Sequence, residues 1–247
     1  MFHPYRFGDS ERAVLDQDGH VVLPGLLTDA AQEQLTASLA HIQELIPIGV
    51  EGHEPPRFAA EFNGYLESVI GHPQMLALVQ RVLGPKIRYD HCVALNRPGG
   101  NQGSRWHSHE YADDDSHLGF VRIFFYVNGF KANDGGLKVV RGSHLYRDPK
   151  INAENDAELE KGWMAGKTHP QTGRPLTIEG LDAPAGSVVL MWTHAAHAVT
   201  PRQAASPTRW CVVYAYRNPG RPSAARWISE AFEQKDIVGA AGLMTLY

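Results

Sequence analysis

His107-Ser108-His109 is the first place where side-chain type and spacing suggest chemistry. In an extended strand, residues two apart project to the same face, so both imidazoles can approach one metal ion. A histidine pair alone is equally compatible with an ordinary surface or core strand. What adds weight is His197, which follows a turn and an apolar run, Ala185-Gly186-Ser187-Val188-Val189-Leu190-Met191-Trp192. A third imidazole arriving on a distant strand is what a facial three-ligand centre needs, and such a centre leaves adjacent positions open for substrate and oxygen. Twelve residues beyond His197, Arg209 opens the next apolar run. A guanidinium at the buried end of a strand is suited to bidentate capture of a carboxylate.

Other polar residues fall near these. Arg122 lies inside the apolar run Phe120 to Val127. It sits at a sheet edge, pairs with a carboxylate, or points inward to meet an anionic substrate. His194, three residues before His197, is expected as a pocket or packing residue. His117 and His169 fall in polar stretches and are expected at the surface, and Asp113, Asp114 and Asp115 read as a solvated loop.

The elements that must carry these groups begin at Ile87. Short β-type runs cover Ile87 to Asn96, Ser104 to Tyr111, Phe120 to Val127, Leu137 to Val140, Val188 to Trp192, the His197 region and Trp210 to Tyr216. They are broken by turn residues such as Arg97-Pro98-Gly99-Gly100 and Asn133-Asp134-Gly135-Gly136. Upstream, Val21-Val22-Leu23 reads as a strand and Thr28-Asp29 as a helix start, with Leu35, Leu39 and Ile42 at helical spacing. Pro73 to Leu83 predicts a second helix stopped by Gly84-Pro85, and Gly52 to Asn63 a loop between the two. Leu145 to Gly180 is too long for a hairpin connection and is a candidate lid, while Ser223 to Phe232 reads as helical. Helices followed by many short strands predict a mainly β fold, a helix-buttressed sandwich or barrel such as a jelly roll.

The 247 residues suit one domain, with a helical region over residues 1–85, a β core over 86–218 and a C-terminal tail over 219–247. A formal charge of −4 without a basic run argues against nucleic acid or an acidic membrane as partner. Two separated cysteines in apolar runs, no apolar run of membrane length and no signal-type N-terminus lead to the expectation of a cytoplasmic protein. The apolar tail Ile237 to Tyr247 is a candidate homodimer contact.

Taken together, the motifs resemble those of the phytanoyl-CoA dioxygenase family of Fe(II)- and 2-oxoglutarate-dependent oxygenases. The resemblance runs from Asp18-Gly19-His20-Val21-Val22-Leu23-Pro24-Gly25 through Arg105-Trp106-His107 and Val121 to Val127. It is most specific at Asp134-Gly135-Gly136 with Arg141-Gly142-Ser143-His144, and it ends with His197-Ala198-Val199-Thr200-Pro201 and Arg209-Trp210. It implies a double-stranded β-helix (cupin-like) barrel that binds Fe(II), takes 2-oxoglutarate as cosubstrate and O2 as oxidant, and oxidises a small molecule. Carried over by position, His107 and His197 match metal ligands and Arg209 the arginine that holds the far carboxylate of 2-oxoglutarate. Tyr89 and Asn96 stand where the family often contacts that cosubstrate, and His144 belongs to a turn that its side chain orders.

The chain departs from the family at position 109, where His-x-Asp becomes His107-Ser108-His109. Either His109 ligates and completes a three-histidine triad, or Glu110 supplies the carboxylate through a β-bulge. In a third reading an exogenous ligand fills the place, as in halogenating relatives, although these carry a small residue there. Two rival functions remain: a three-histidine dioxygenase that uses no 2-oxoglutarate, and a decayed binding protein on the same scaffold.

Overall fold

The computed structural model describes residues 1–48, 53–109, 118–221 and 226–245. Helix α1 (Asp9–Asp18) starts where the Glu11 carboxylate accepts from the Gly8 amide at 3.0 Å and stops at Gly19, in the left-handed region at φ 90°. Its few apolar residues carry no clear helical period, so the sequence pattern does not reveal it. Strand β1 (His20–Leu23) leads into α2 (Asp29–Leu45). The Thr28 hydroxyl caps α2 by accepting from the Ala31 amide, and Leu35, Leu39 and Ile42 are buried along one face. A 3₁₀ turn, Ala59–Glu61, lies within the expected loop, followed by the short helix α3 (Gly64–Ile70). Helix α4 (Pro73–Leu83) places Pro73 in its first turn, where a missing amide forfeits no helical hydrogen bond, and ends at Gly84.

The strands that follow are β2 (Arg88–Ala94), β3 (Ser104–His107), β4 (Phe120–Tyr126), β5 (Leu137–Val140) and β6 (Asn152–Ala153). After α5 (Asp156–Lys161) come β7 (Ile178–Gly180), β8 (Ser187–Trp192), β9 (His197–Val199) and β10 (Cys211–Arg217). They form two five-stranded sheets, ordered β1-β8-β4-β10-β2 and β6-β3-β9-β5-β7, and every pairing in them is antiparallel. No ladder among the described residues closes the two sheets into a barrel. The fold is thus mainly β, with two facing sheets, helices α2 to α4 packed on the first and α5 on the outer face of the second.

Strand alternation decides what each face holds. On β4, Val121, Ile123 and Phe125 join the core shared with α2, α3 and α4. Phe124 and Tyr126 face the second sheet, packing with Val189 and Val213 of their own sheet and Leu137 and Val139 across the gap. A separate core forms on the outer face of the second sheet, where Ile151, Leu159, Met164 and Leu176 cover Trp106, Val140, Ala196 and Ala198. This corrects the lid expectation: Leu145 to Gly180 contributes buried apolar residues to the outside of the sandwich.

The C-terminal segment is mostly irregular, and its described residues form one helical turn, α6 (Glu230–Glu233), in place of the longer helix expected from Ser223. Ile237, Ala240, Leu243 and Met244 are buried in the helix-side core of their own chain, leaving Val238 exposed. Cys92 and Cys211 are buried free thiols. Among the described residues, no helix is long and apolar enough to cross a membrane.

Candidate metal centre

His107 and His197 are direct partners across the β3–β9 pairing, so their side chains leave the sheet on the same face, toward the first sheet. Their ring centroids lie 4.2 Å apart. Strand β3 ends at His107, but Ser108 keeps the chain extended, its amide donating to the Ile151 carbonyl at 3.3 Å and its hydroxyl to that of Asp148 at 2.7 Å. The alternation therefore continues, and the ring of His109 comes within 4.9 Å of His107 and 5.1 Å of His197. One nitrogen from each of the three lies within 4.8 Å of the other two.

Two backbone contacts decide which nitrogens those are. Nδ1 of His107 faces the Arg105 carbonyl at 2.9 Å, and Nδ1 of His197 faces that of Ala195 at 2.8 Å. A carbonyl only accepts, so each Nδ1 carries the proton and each Nε2 keeps its lone pair. Burial lowers the basicity of all three rings; the Arg122 charge opposes protonation in each, and the neighbouring imidazoles do so for His109 and His197. Neutral imidazoles with oriented lone pairs are what a divalent transition metal requires, and this donor set fits iron(II).

A cavity of about 390 Å³ between the sheets opens from the three rings. At its far end stands Arg209, buried, with its guanidinium over the Tyr126 ring at 5.2 Å. It donates to the carbonyl of Gly135 and, at 3.5 Å, to that of Leu95. Arg97 pairs with Arg209 backbone to backbone and lines the same cavity. Its side chain donates to Asn101 Oδ1 at 2.7 Å and to the Gly103 carbonyl at 2.8 Å. The Nε atoms of both arginines are buried without a hydrogen-bond partner, and neither guanidinium has a carboxylate within ion-pair distance among the described residues. Burial, then the like charge of Arg209, lowers the proton affinity of Arg97. Two adjacent cations, Arg209 buried and Arg97 half-buried, favour an incoming carboxylate.

Of the other residues singled out from the sequence, Arg122 does line the cavity, buried beside the three histidines. Tyr89 and Asn96 do not. A β-bulge at Asp90 shifts the register between Tyr89 and His91, sending Tyr89 into the helix-side core against Tyr216. Asn96 also leaves the cavity side, and its amide donates to the Leu39 carbonyl of α2 at 3.0 Å. His194 is outside that cavity and borders a separate cleft of about 420 Å³ with His144 and Arg147. Burial, then the Arg147 charge, pushes its pKa down to about 3. His169, expected at the surface, is buried because its Nε2 donates to the Gln17 carbonyl at 2.8 Å. Glu110, the alternative ligand, lies outside the described residues, as do His117 and the three aspartates.

Arg97, Tyr126 and Trp227 line the cavity and were not identified from the sequence. Tyr126 was available, since it lies four residues from Arg122 and therefore on the same strand face. Arg97 follows its strand inside a Pro-Gly turn, where nothing local marks it. Trp227 comes from the irregular tail and reaches the opening by stacking under Arg57 at 5.3 Å.

Comparison with solved structures shows the same fold at low sequence identity. The carbocyclase SnoK from nogalamycin biosynthesis, described as non-heme and alpha-ketoglutarate dependent, aligns with a TM-score of 0.66 and 15% identity over 94% of this chain and 92% of its own. The apo form of ThoJ, a non-heme monooxygenase, gives 0.65 and 20% over 86% and 79%. The epimerase SnoN, in complex with Fe3+, alpha ketoglutarate and nogalamycin RO, gives 0.62 and 16% over 85% and 83%. No curated protein sequence matches the chain. The family model for phytanoyl-CoA dioxygenase (PhyH) matches residues 15–209, a span that runs from the end of α1 to Arg209 and contains all three histidines, and the chain belongs to that family.

Proposed function

We propose that this protein is a non-haem iron, 2-oxoglutarate-dependent oxygenase that oxidises a small molecule at an unactivated C–H bond, by hydroxylation in the simplest case. The observation that carries the reading is the sharing of one cavity by three convergent imidazoles and two adjacent arginines, Arg209 and Arg97, without a carboxylate. His107, His109 and His197 would hold iron(II), which with 2-oxoglutarate and O2 supplies the oxidising power for C–H cleavage. The residues of the chain bind, orient and shield. Arg209, with Arg97 beside it and Tyr126 beneath, would take the far carboxylate of 2-oxoglutarate in a charge-assisted, two-pronged contact. The carbonyls of Arg105 and Ala195 keep the protons on Nδ1, so that Nε2 of His107 and His197 is always presented. The apolar packing of Phe124, Leu137, Val139 and Val213 between the sheets keeps bulk water from the reacting region.

The test is succinate formation by protein reconstituted with Fe(II) under anaerobic conditions, then supplied with 2-oxoglutarate, ascorbate and air. Succinate above a metal-free control, even without the natural substrate, supports the reading; its absence with every substrate tried overturns it. The lack of a carboxylate at position 109 favours one second reading, a dioxygenase that coordinates its substrate directly and needs no 2-oxoglutarate. Iron uptake with no succinate would select that reading. Failure to take up iron at all would instead favour a binding protein on the same scaffold.

A further inference from the structure

Arg122 stands apart from the other three cavity arginines, Arg57, Arg97 and Arg209. It lies in the middle of β4, and its partners across the sheet are Ala215 on β10 and Met191 on β8, neither of which offers a carboxylate or other oxygen acceptor in its side chain. It is 4% exposed, its Nε is buried without a partner, and no described residue forms a hydrogen bond or an ion pair with its guanidinium. The charge that offsets it is Asp90, which also serves two others: it accepts from His91 Nδ1 at 2.7 Å and faces Arg217 at 4.0 Å. Burial, against the pull of Asp90, lowers the pKa of Arg122 to about 10, so the group stays charged at neutral pH. A guanidinium carries five donors, and leaving them all unmet in a buried place is unfavourable unless something else arrives to meet them.

That something is not the far carboxylate of 2-oxoglutarate. Arg209 stacks on Tyr126, four residues from Arg122 along one strand, and at roughly 3.3 Å per residue the two backbone positions are about 13 Å apart. The far carboxylate that Arg209 takes in the proposed reading is therefore offset along the strand from Arg122. Between the two cationic ends the strand presents Phe124, flanked by Val213 on β10, an apolar floor. The cavity therefore has Arg97 and Arg209 at the Tyr126 end, Arg122 beside the three histidines and hydrocarbon between, while its fourth arginine, Arg57, is ion-paired with Glu54 at 3.2 Å.

We propose that Arg122 is the anchor for a carboxylate on the primary substrate, so that this protein acts on a small acid whose carbon skeleton lies over Phe124 and Val213. The assignment rests on the reading of the three histidines as the metal site and Arg209 as the cosubstrate anchor. It makes the substrate the second of two acids bound in one cavity, and it makes Arg122 a specificity-determining residue.

The test uses the full chain loaded with Zn(II) in place of iron and saturated with 2-oxoglutarate, so that no turnover occurs. Propionate, butyrate, hexanoate and benzoate are each compared with the primary amide of the same skeleton by saturation-transfer NMR and thermal shift. The wild type is expected to bind the acids and not the amides. Arg122→Met should weaken the acids by about tenfold or more, the scale of a lost charge-assisted bidentate contact. Arg122→Lys, which keeps the charge without the fork, should fall between the two. The 2-oxoglutarate dissociation constant should change much less in either variant. Equal binding of acids and amides by the wild type overturns the proposal, as does binding of neither. So does an Arg122→Met protein that loses 2-oxoglutarate as strongly as the acids, which would give Arg122 to the cosubstrate. If Arg122→Met does not fold, the wild-type comparison and Arg122→Lys still decide. Failure of the underlying reading looks different: the wild type would not bind 2-oxoglutarate, or Arg209→Met would leave its binding unchanged.

Discussion

Two groups of buried or half-buried histidines can be set side by side. One is His107, His109 and His197 between the sheets; the other is His20, His144 and His169 beside the end of α1. Both are withdrawn from water, and burial lowers the basicity of His20 and His144 as it does that of the first group. The difference is where the nitrogens go. His144 Nε2 takes the Asp16 carbonyl at 3.0 Å, His169 Nε2 takes that of Gln17 at 2.8 Å, and the Gly142 amide takes that of Asp18 at 3.1 Å. These are the last carbonyls of α1, which no helical amide can satisfy, so His144, His169 and the Gly142 amide form a C-terminal cap. His20 turns to Glu179 at 3.6 Å. In the first group only Nδ1 is taken, in His107 and His197, and the remaining nitrogens face one another. Rings of lowered basicity occur in both groups, so that property does not mark a site; convergent lone pairs do.

The sharpest way to break this comparison is to remove one member of each group. His197→Ala should reduce iron affinity by about 100-fold or more, because a ligand matters at least as much as the partners that orient it. His144→Ala should leave iron stoichiometry unchanged and cost about 1–3 kcal/mol of stability through an unsatisfied helix carbonyl. Anaerobic equilibrium dialysis and urea unfolding read the two effects separately. A folded His144→Ala protein without iron would remove the distinction.

A smaller effect comes from the glycines that let the capping group approach. Gly142 has φ 78°, and a Cβ there would lie 2.4 Å from His169 Cδ2. Gly142→Ala should therefore destabilise by about 2 kcal/mol or more, the left-handed backbone and the collision acting together. Gly173 has φ 69° with nothing within 4 Å of the added carbon, so Gly173→Ala isolates the backbone contribution, about 1 kcal/mol. Equal melting temperatures for the two variants would mean that His169 moves aside freely.

The capping group also predicts an acid limb. Burial, opposed by the Asp16 carbonyl, pushes His144 down to about 4 from the ordinary histidine value of 6.5. The unfolded chain then binds its proton at a higher pH than the folded chain does. Stability from this group is complete above the unfolded value and falls as pH drops from about 6.5 to about 4, by at most about 3 kcal/mol. Urea midpoints between pH 7 and 4 should decline more steeply in the wild type than in a folded His144→Gln protein. Parallel curves would take His144 out of the linkage.

What was legible in the sequence follows the same physics. The strand positions of His107 and His197, the helix α4 and the Gly-Gly turn before β5 were readable because apolar period and turn residues are local signals. Tyr89 and Asn96 illustrate the limit. Their numbers differ in parity, so a regular strand cannot send both to one face, and the bulge at Asp90 then turns Tyr89 away while Asn96 already points to α2. A bulge is set by partner strands and leaves no local trace. The Leu145 to Gly180 segment resembles a lid in length and polarity, whereas Leu159, Met164 and Leu176 are sparse in sequence and converge only on the folded sheet.

The finest test of the comparison is at position 109, where an imidazole replaces the carboxylate of the family pattern. His109→Asp shortens the side chain at a point where the chain is held by Ser108, through contacts to Asp148 and Ile151 that do not involve the ring. His107 and His197 keep their Nδ1 contacts, so iron affinity should stay within about tenfold of the wild type. Arg122 complicates the exchange in a way that can be measured. Its charge already acts on His109, and it has no carboxylate to itself, so the new aspartate has two cations to choose between. If iron is retained, the metal holds the carboxylate, and the surroundings of position 109 tolerate either ligand. If iron is lost, Arg122 has captured it, and His109→Asp combined with Arg122→Met should bring iron binding back. A double variant that stays iron-free would show that the cavity around position 109 is shaped for imidazole, and the contrast with the capping histidines would then extend from the direction of the lone pairs to the shape of the space around them.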